Sequence, residues 1–487
     1  MPKPIQFFAQ AISLAPDHWS TAEQITSRFQ SEGHKDYFLN TIVSFVMSIY
    51  DILHLWRIRV VDGEVGQLSS LSIERLYPLS PLQSAILHDI VSALESRKES
   101  QAHDIDPSWQ KFRVVLGKPG TGKSQVLIRA IAHAIQQEMS VLVAAPVALL
   151  AQAYTKIFQD DIEADTLHGA FNIPLDGTCS DDINCGLNKF DMIVVDETSM
   201  ISTSTFAVMA ATFNRLNIRP VVIFAGDKCQ QQALQTVDGR TSTTASIMND
   251  ATFNAVHHTL YQQFRITDPD YARFLDCICY TSPTQQQVDE MQEGITLCPA
   301  GPLSDEEIWT AYNMKTNATV MTVSRHGAQR VNSVVVDHLF ASVRPLSTIP
   351  CASVADLQPI FPHRNMKVIF TENRDKQSRV VNGQEATILS SQNNTIILRL
   401  PEGKRVFVYP VTAVVDDHTV TYYPFTPAYA QTITKSQGQN IKHLVLWLDS
   451  PIVPAGTGYV GLTRIRTKAA LSILQPIDAP QLVPVTL

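Results

Sequence analysis

The chain has 487 residues, a formal net charge of −8, 45% hydrophobic residues and a mean hydropathy of −0.01. This length predicts two to four domains with sizeable cores, and the composition excludes a largely disordered chain. The negative charge excludes a general positive field as the basis of nucleic-acid binding, but it is compatible with a local polar groove.

The seven cysteines are an odd number and form no C-x-x-C pair, so neither a disulfide framework nor a zinc or iron–sulfur site is signalled. We therefore expect an intracellular, reducing compartment; a nuclear location would depend on family analogy alone. No secretory signal pattern and no segment of membrane-spanning length is present.

The first part of the chain predicts a small helical accessory domain at residues 1–75. Its most apolar window, residues 41–56, has apolar residues at helical spacing and is interrupted by polar ones, which favours a core helix. The window suggests no chemistry.

Residues 117–124 fit the phosphate-loop pattern G-x-x-x-x-G-K-[ST] at every fixed position. The apolar run 112–116 is typical of a buried strand, and residues 125–135 have the apolar spacing of a helix. Backbone N–H groups at such a helix start converge on phosphate oxygens. We expect Lys123 to reach the β- and γ-phosphates of ATP and Ser124 to coordinate Mg²⁺. The other nucleotide-binding positions predicted in the loop are Gly117, Pro119, Gly120, Thr121 and Gly122.

Two later apolar strands end in polar residues. Residues 190–195 lead to Asp196 and Glu197, and residues 220–225 lead to a turn that contains Gln230. Because the carboxyl ends of parallel strands meet at one edge of a sheet, these side chains are predicted to face the phosphate loop. Asp196 would hold Mg²⁺, Glu197 would activate water as a general base, and Gln230 would sense the γ-phosphate.

Taken in order, these segments resemble the RecD/Pif branch of superfamily 1 DNA helicases. The resemblance covers about residues 76–474, and its specificity comes from the order and number of the motifs. The motifs that carry it are Gln83 and residues 117–124, 144–146, 166–168, 196–200, 226–230, 260–265, 381–385, 428–439 and 459–464.

The resemblance implies an α/β fold of two RecA-like P-loop NTPase domains with parallel sheets and ATP between them. The first domain would span residues 76–258, with a short wedge within about 151–190, and the second residues 259–487. Strand-like segments between residues 366 and 411, separated by Asn-Gly, Asn-Asn and Glu-Gly turns, predict a small SH3-like β insertion at about residues 360–425.

The resemblance also assigns roles to single residues. Arg265 and Arg464 would reach the γ-phosphate as arginine fingers, so hydrolysis would require domain closure. Gln83, whose amide can recognise adenine, would join Gln437 and Gly438 in the nucleotide site. Polar groups would grip the phosphates of a single strand without reading its sequence. The predicted strand contacts are Pro146, Thr166, His168, Thr434, Lys435, Ser436 and Phe171, with a core position as the alternative for Phe171.

The chain departs from the family pattern at four places. Gln231 stands where Leu or Pro is common, Ile266 where Gln is common, Thr434 where His is common and Thr463 where Ser is common. None of these departures removes a phosphate or metal ligand. The first two put the coupling between ATP and the strand in doubt, and Thr434 is expected to change strand affinity.

The function implied is an ATP-dependent DNA helicase that moves 5′ to 3′ on single-stranded or forked DNA in repair, recombination or replication, as a monomeric motor without membrane association. One alternative is a superfamily 1 RNA helicase, and another is a nucleic-acid clamp that binds ATP without productive turnover. Residues 167–174 are also similar to the helicase part of a rolling-circle transposon protein. The sequence has no His-x-His metal pair for the nicking nuclease of such a protein, so it could supply only the helicase part.

Overall fold

The computed structural model describes residues 78–100, 112–173, 184–231, 234–237, 240–243, 255–314, 318–353, 356–373, 380–415 and 418–485. The predicted helical accessory domain at residues 1–75 lies outside these ranges. In the described part of the chain, no helix has both the length and the apolar character needed to cross a bilayer.

The N-terminal half of the described chain forms a parallel sheet with helices on both faces. Its elements are α1 (Pro81–Ser100), β1 (Phe112–Gly117), α2 (Lys123–Gln136), β2 (Val141–Ala145), α3 (Ala148–Phe158), β3 (Glu163–Thr166), α4 (Leu167–Phe171), β4 (Met192–Val195), α5 (Thr203–Leu216), β5 (Val221–Gly226), β6 (Leu234–Val237), β7 (Arg240–Thr243) and β8 (Ala255–Leu260). Six strands pair in the order β3-β2-β4-β5-β1-β8, all parallel. β6 and β7 form a separate antiparallel ribbon.

Alternating apolar side chains bury this sheet on both faces, as expected for parallel strands covered by helices. Val143 and Val194 face the helices α1, α2 and α3, whereas Leu142 and Ile193 face α4 and α5. In the central strands β2, β4 and β5 the interior positions are apolar, and polar side chains follow the last strand residues. The carboxyl ends of β1, β4 and β5 therefore define one polar edge.

The C-terminal half contains a second parallel sheet and an antiparallel insertion. Its elements are α6 (Pro269–Tyr280), α7 (Gln285–Gln292), α8 (Asp305–Asn313), β9 (Thr319–Thr322), α9 (Arg325–Phe340), β10 (Cys351–Ser353), β11 (Asp356–Ile360), β12 (Lys367–Phe370), β13 (Glu385–Gln392), β14 (Thr395–Arg399), β15 (Arg405–Val408), β16 (Val411–Val415), β17 (His418–Tyr422), β18 (Phe425–Pro427), β19 (Ala430–Thr432), β20 (Leu444–Trp447), α10 (Thr457–Leu462) and β21 (Leu471–Ile473). The parallel sheet has the order β19-β9-β20-β21. Five antiparallel strands, in the order β15-β14-β13-β12-β18, form the insertion.

The two helix-covered parallel sheets and the antiparallel insertion confirm the predicted fold class. The exact domain limits remain predictions. β8 pairs with β1 and ends at Leu260, so the first sheet extends past the predicted boundary at residue 258.

One part of the predicted wedge is corrected by the structure. Residues 151–165 form most of α3 and the start of β3, and β3 is an edge strand of the first sheet. Ala151 and Phe158 of α3 are buried, so this segment belongs to the domain rather than projecting from it. Of the other predicted wedge segment, residues 174–189, the first ten residues lie outside the described ranges.

Candidate nucleotide and strand site

The phosphate loop joins β1 to α2 through a backbone that requires glycine. Gly120 and Gly122 have φ angles of 88° and 85°, in the left-handed region that disfavours other residues. A Cβ atom on Gly122 would lie 2.2 Å from Nε2 of Gln83. That nitrogen donates a hydrogen bond of 3.0 Å to the carbonyl of Thr121, so the buried Gln83 amide braces the loop in addition to its predicted adenine role.

Lys123 begins α2 and its ammonium group is held over the loop. Nζ donates to the carbonyls of Gly117 at 2.6 Å and Lys118 at 3.3 Å. The loop therefore places this positive charge at the carboxyl end of β1, where the sequence predicted the phosphates. Ser124 follows it on the first turn of the same helix.

Glu197 lies at the neighbouring strand end in a strained conformation. Its φ and ψ of 57° and 49° fall in the left-handed region, which is unfavourable for a glutamate and is often retained at functional sites. The side chain is buried, and within the described chain Oε1 has no hydrogen-bond partner. Burial raises the pKa of this carboxyl group, while the positive charge of Lys123 opposes the rise. A buried carboxylate with an open acceptor oxygen is suited to receive a proton from water.

Asp196 is held by two donors. Its Oδ1 accepts a hydrogen bond of 2.9 Å from the backbone N–H of Glu197, and its Oδ2 accepts one of 2.7 Å from the hydroxyl of Tyr154. Burial raises the pKa of Tyr154, and the charge of Asp196 adds to the rise. The Tyr154 hydroxyl thus orients one of the two predicted magnesium ligands, a contact that the sequence did not indicate.

The two predicted arginine fingers approach this edge from the second domain. Arg464 is only 2% exposed, and its Nε donates to the carbonyl of Val460 at 2.9 Å while an Nη atom donates to Thr463 Oγ1 at 3.1 Å. Burial lowers the arginine pKa, and the charge of Glu197 is the largest opposing effect. Arg464 and Glu197 therefore interact electrostatically across the cleft, and Thr463, one of the four departures, orients the guanidinium.

Arg265 follows β8 in a segment that packs directly on the phosphate loop. The backbone N–H of Phe264 donates to the Gly120 carbonyl at 2.9 Å, and Gln263 Nε2 donates to the Pro119 carbonyl at 2.8 Å. Partial burial lowers the pKa of Arg265 to about 10, and the nearby positive charges of Arg464 and Arg466 contribute. Because Arg265 and Arg464 repel each other, an anion with several negative charges, such as a triphosphate, would be stabilised between the two guanidinium groups.

Two hydrogen bonds cross from the first domain to the second beside these groups. Tyr459 donates its hydroxyl to Asp227 Oδ2 at 3.1 Å, and Thr434 donates to Gln231 Oε1 at 2.8 Å. The second contact joins two of the departures from the family pattern. Neither pair was predicted, because each side chain belongs to a motif on a different domain and only the tertiary structure pairs them.

Gln230 and Gln437 supply buried amide atoms without partners in the described part of the chain. Gln230 lacks a partner at Oε1, and Gln437 lacks one at both Oε1 and Nε2. Both side chains are buried, and an unpaired buried polar atom costs stability unless a ligand or water completes it. These atoms therefore fit the predicted nucleotide-sensing roles, and Gly438 follows with a φ of 80°.

The predicted strand contacts divide into accessible and inaccessible groups. Four of them are at least partly exposed: Pro146, Thr166, His168 and Lys435. Partial burial lowers the pKa of His168, so this side chain is expected to be neutral at pH 7. Ser436 is buried with its hydroxyl donated to the Ile433 carbonyl at 2.6 Å, so only its backbone could contact a strand.

Phe171 is not a base-stacking residue in this structure, which corrects that prediction. It is 2% exposed and lies in the core with its ring centroid 5.6 Å from that of Phe213 in an edge-to-face arrangement. The core alternative for Phe171 is therefore the one observed. Its position at the end of a short helix packed on α5 explains the burial, which the motif alone did not reveal.

A second correction concerns the cysteines. Cys229, which follows β5, and Cys279 on α6 form a disulfide with their Cα atoms 5.4 Å apart. They are separated by 50 residues and lie on different domains, so no local spacing signals the pair. Cys185, Cys277, Cys298 and Cys351 are free.

Comparison with known proteins agrees with this architecture. A family model described as an AAA domain matches residues 98–291. The ATP-dependent DNA helicase Pif1 of Bdellovibrio bacteriovorus is 24% identical over 398 residues, which cover 78% of this chain and 87% of that relative. The similarity to this DNA helicase therefore extends over most of the length of both chains.

Solved structures of Pif1 helicases extend the similarity to the fold. A structure of two coordinating Pif1 helicases at forked duplex DNA has a TM-score of 0.61 and 20% identity, with 84% of this chain and 94% of that chain covered. A Bacteroides Pif1 helicase in complex with ADP-AlF3 and single-stranded DNA has a TM-score of 0.57 and 20% identity, with 80% and 94% covered. At this identity the likeness establishes the fold.

Proposed function

We propose that this protein is an ATP-dependent DNA helicase of the Pif1 type that translocates 5′ to 3′ on single-stranded DNA and unwinds forked duplexes in repair, recombination or replication. The observation that carries the proposal is the meeting of Lys123, Glu197 and Arg464 at one interdomain cleft, in which Arg464 and Glu197 interact across the two domains. The relatives named above are a DNA helicase and structures that contain forked or single-stranded DNA. Polarity and pathway depend on the family resemblance.

The hydrolytic chemistry is assigned to residues of both domains. Lys123 neutralises the β- and γ-phosphate oxygens, and Gln230 orients the attacking water through its free Oε1. Glu197 accepts the proton of that water at its open Oε1. Arg265 and Arg464 stabilise the negative charge that develops on the γ-phosphate, so turnover depends on the approach of the second domain.

Magnesium fits the oxygen donors at the first domain. Ser124 and Asp196 offer hydroxyl and carboxylate oxygens, the ligand type that this hard cation prefers, and the Tyr154 hydroxyl orients the Asp196 carboxylate. The described residues contain no cluster of three or more His, Cys, Asp or Glu side chains, consistent with a cation completed by phosphate and water. When bound, Mg²⁺ would neutralise charge on the bridging phosphate oxygens.

Strand movement follows from closing and opening of the same cleft. The segment 434–436 contacts Gln231, beside the phosphate sensor Gln230, and Gly438 packs tightly against Leu150 at the start of α3. A change at the γ-phosphate therefore displaces groups that line the predicted strand path on both domains. We further propose that the protein acts as a monomeric motor.

The direct test is steady-state ATP hydrolysis with and without single-stranded DNA, or RNA of the same length and sequence, with Glu197→Gln as the control. The proposal predicts strong stimulation by DNA, almost no turnover by the variant, and unwinding of a forked duplex with a 5′ tail but not a 3′ tail. Stronger stimulation by RNA would replace the DNA assignment with an RNA helicase. Binding of both polymers without stimulation by either would refute the motor and leave a nucleic-acid clamp.

A further inference from the structure

Tyr154 lies beside one of the predicted magnesium ligands. It is on α3, it is 4% exposed, and its hydroxyl donates to Asp196 Oδ2 at 2.7 Å. This contact joins α3 to the residue that follows the carboxyl end of β4. None of the sequence motifs includes Tyr154.

We propose that Tyr154 is a positioning residue that holds Asp196 in the geometry required to bind Mg²⁺ with the nucleotide. This inference rests on the proposed ATP-dependent function, and it adds a third residue to the magnesium site. Tyr154 acts through its hydrogen bond to Asp196 and needs no contact with the cation itself.

The hydrogen-bond inventory of Asp196 supports this role. The Glu197 N–H holds Oδ1 at 2.9 Å and the Tyr154 hydroxyl holds Oδ2 at 2.7 Å, so both oxygens are fixed in direction. Each carboxylate oxygen can accept a second interaction, which leaves acceptor capacity for a cation or its water ligands. A carboxylate fixed in this way loses less rotational freedom when the cation binds than a free one does.

The Tyr154 hydroxyl is a neutral donor to Asp196 Oδ2. A neutral donor of this kind orients a metal ligand without competing for the metal.

Packing of α3 keeps the hydroxyl in place. Ala151 and Phe158 of this helix are buried on either side of Tyr154, and Leu150 at its first turn packs against Gly438 of the second domain. Tyr154 itself belongs to the core cluster between α2, α3 and the sheet. Its ring is thus fixed by apolar contacts, and only its hydroxyl reaches the polar edge.

The test separates metal binding from nucleotide binding in the full chain. Binding of a fluorescent ADP analogue is measured first in EDTA and then over a titration with MgCl2. In EDTA, Tyr154→Phe should bind the ADP analogue with an affinity within twofold of that of wild type. In the MgCl2 titration, the Mg²⁺ concentration at half-saturation should rise about tenfold, because removal of a residue that hydrogen-bonds to a metal ligand typically costs 10- to 100-fold in metal affinity.

The matched control is Tyr423→Phe, which removes a buried hydroxyl that donates to the Asn394 carbonyl at 2.9 Å in the β insertion. It is expected to leave the Mg²⁺ titration unchanged. Tyr154→Met, which also lacks the hydroxyl, provides a second variant if Tyr154→Phe does not fold.

The possible results discriminate between the two proposals. If wild type shows no Mg²⁺-dependent nucleotide binding, the proposed ATP-dependent function fails. If wild type shows Mg²⁺-dependent nucleotide binding but the Mg²⁺ concentration at half-saturation is unchanged or lower in Tyr154→Phe, the positioning role is overturned. An equal rise in the control variant would also overturn it, since the effect would then be unrelated to Tyr154.

Discussion

The disulfide between Cys229 and Cys279 joins the two RecA-like domains one residue away from Gln230. Both cysteines are buried, with Cys229 after β5 and Cys279 near the end of α6. Because the proposed ATP turnover requires the cleft to open and close, a covalent link at this point should restrict the cycle. We predict that reduction, or Cys279→Ser, raises the rate of DNA-stimulated ATP hydrolysis relative to the oxidised protein.

The effect on stability follows from the length of chain that the bond closes. With a sequence separation of 50 residues, the loop-entropy relation gives about 4 kcal/mol of stabilisation at 25 °C. The oxidised wild-type protein should therefore unfold at a higher urea concentration than the reduced one. Cys279→Ser should unfold like reduced wild type whether or not reductant is present.

The assay combines urea unfolding, ATP turnover and peptide mapping under oxidising and reducing conditions. Cys277→Ser is the matched control, because Cys277 is a free cysteine on the same helix; this variant should retain both responses to reductant. Equal unfolding midpoints for oxidised and reduced wild type would refute the stability argument. Equal turnover in both states, with the disulfide verified by mapping, would refute the restriction of the cleft.

Three further experiments, with four substitutions, test the site. Glu197→Gln should raise the free energy of unfolding by about 1–3 kcal/mol at pH 8, because it removes a buried carboxylate with an unpaired oxygen. Burial raises the pKa of Glu197, so the wild-type residue gains a proton as the pH falls. The difference in melting temperature between the variant and wild type should therefore be smaller at pH 5. In a double-mutant cycle of DNA-stimulated turnover, the effects of Gln231→Ala and Thr434→Val on the activation free energy should differ from additivity by about 0.5–1.5 kcal/mol. Additive effects would show that turnover does not depend on their hydrogen bond. Arg265→Ala should lower turnover by about 10³-fold or more with ADP binding retained, and a parallel loss of ADP affinity would contradict a finger role.

The parts of the fold that sequence reasoning predicted well are those set by local pattern. The apolar run before the phosphate loop gave β1, and the helical spacing after it gave α2, which begins at Lys123. The four strand segments expected between residues 366 and 411 appear as β12 to β15 in one antiparallel sheet. Alternation and turn residues suffice for such elements, because each strand pairs with its neighbour in the chain.

The parts that could not be predicted depend on contacts between distant segments. Phe171 follows a strand-contact motif, yet it packs against Phe213 on α5. Tyr154 occurs in an apolar helix pattern that is typical of core, and nothing local indicates that its hydroxyl meets Asp196. Hydrophobic periodicity reports which face of a helix is buried, but it does not report which polar atom lies at the edge of that face.

The departures from the family pattern show why positions cannot be judged singly. Gln231 and Thr434, taken separately, suggest impaired coupling between ATP and the strand and an altered strand affinity. In the structure the threonine hydroxyl donates to the glutamine carbonyl oxygen at 2.8 Å, so the two substitutions complement each other across the interdomain cleft. The contact joins the neighbour of Gln230, the proposed phosphate sensor, to the first residue of the 434–436 segment. We therefore predict that the coupling between ATP and the strand depends on this pair, and that restoring the common family residue at only one of the two positions weakens it.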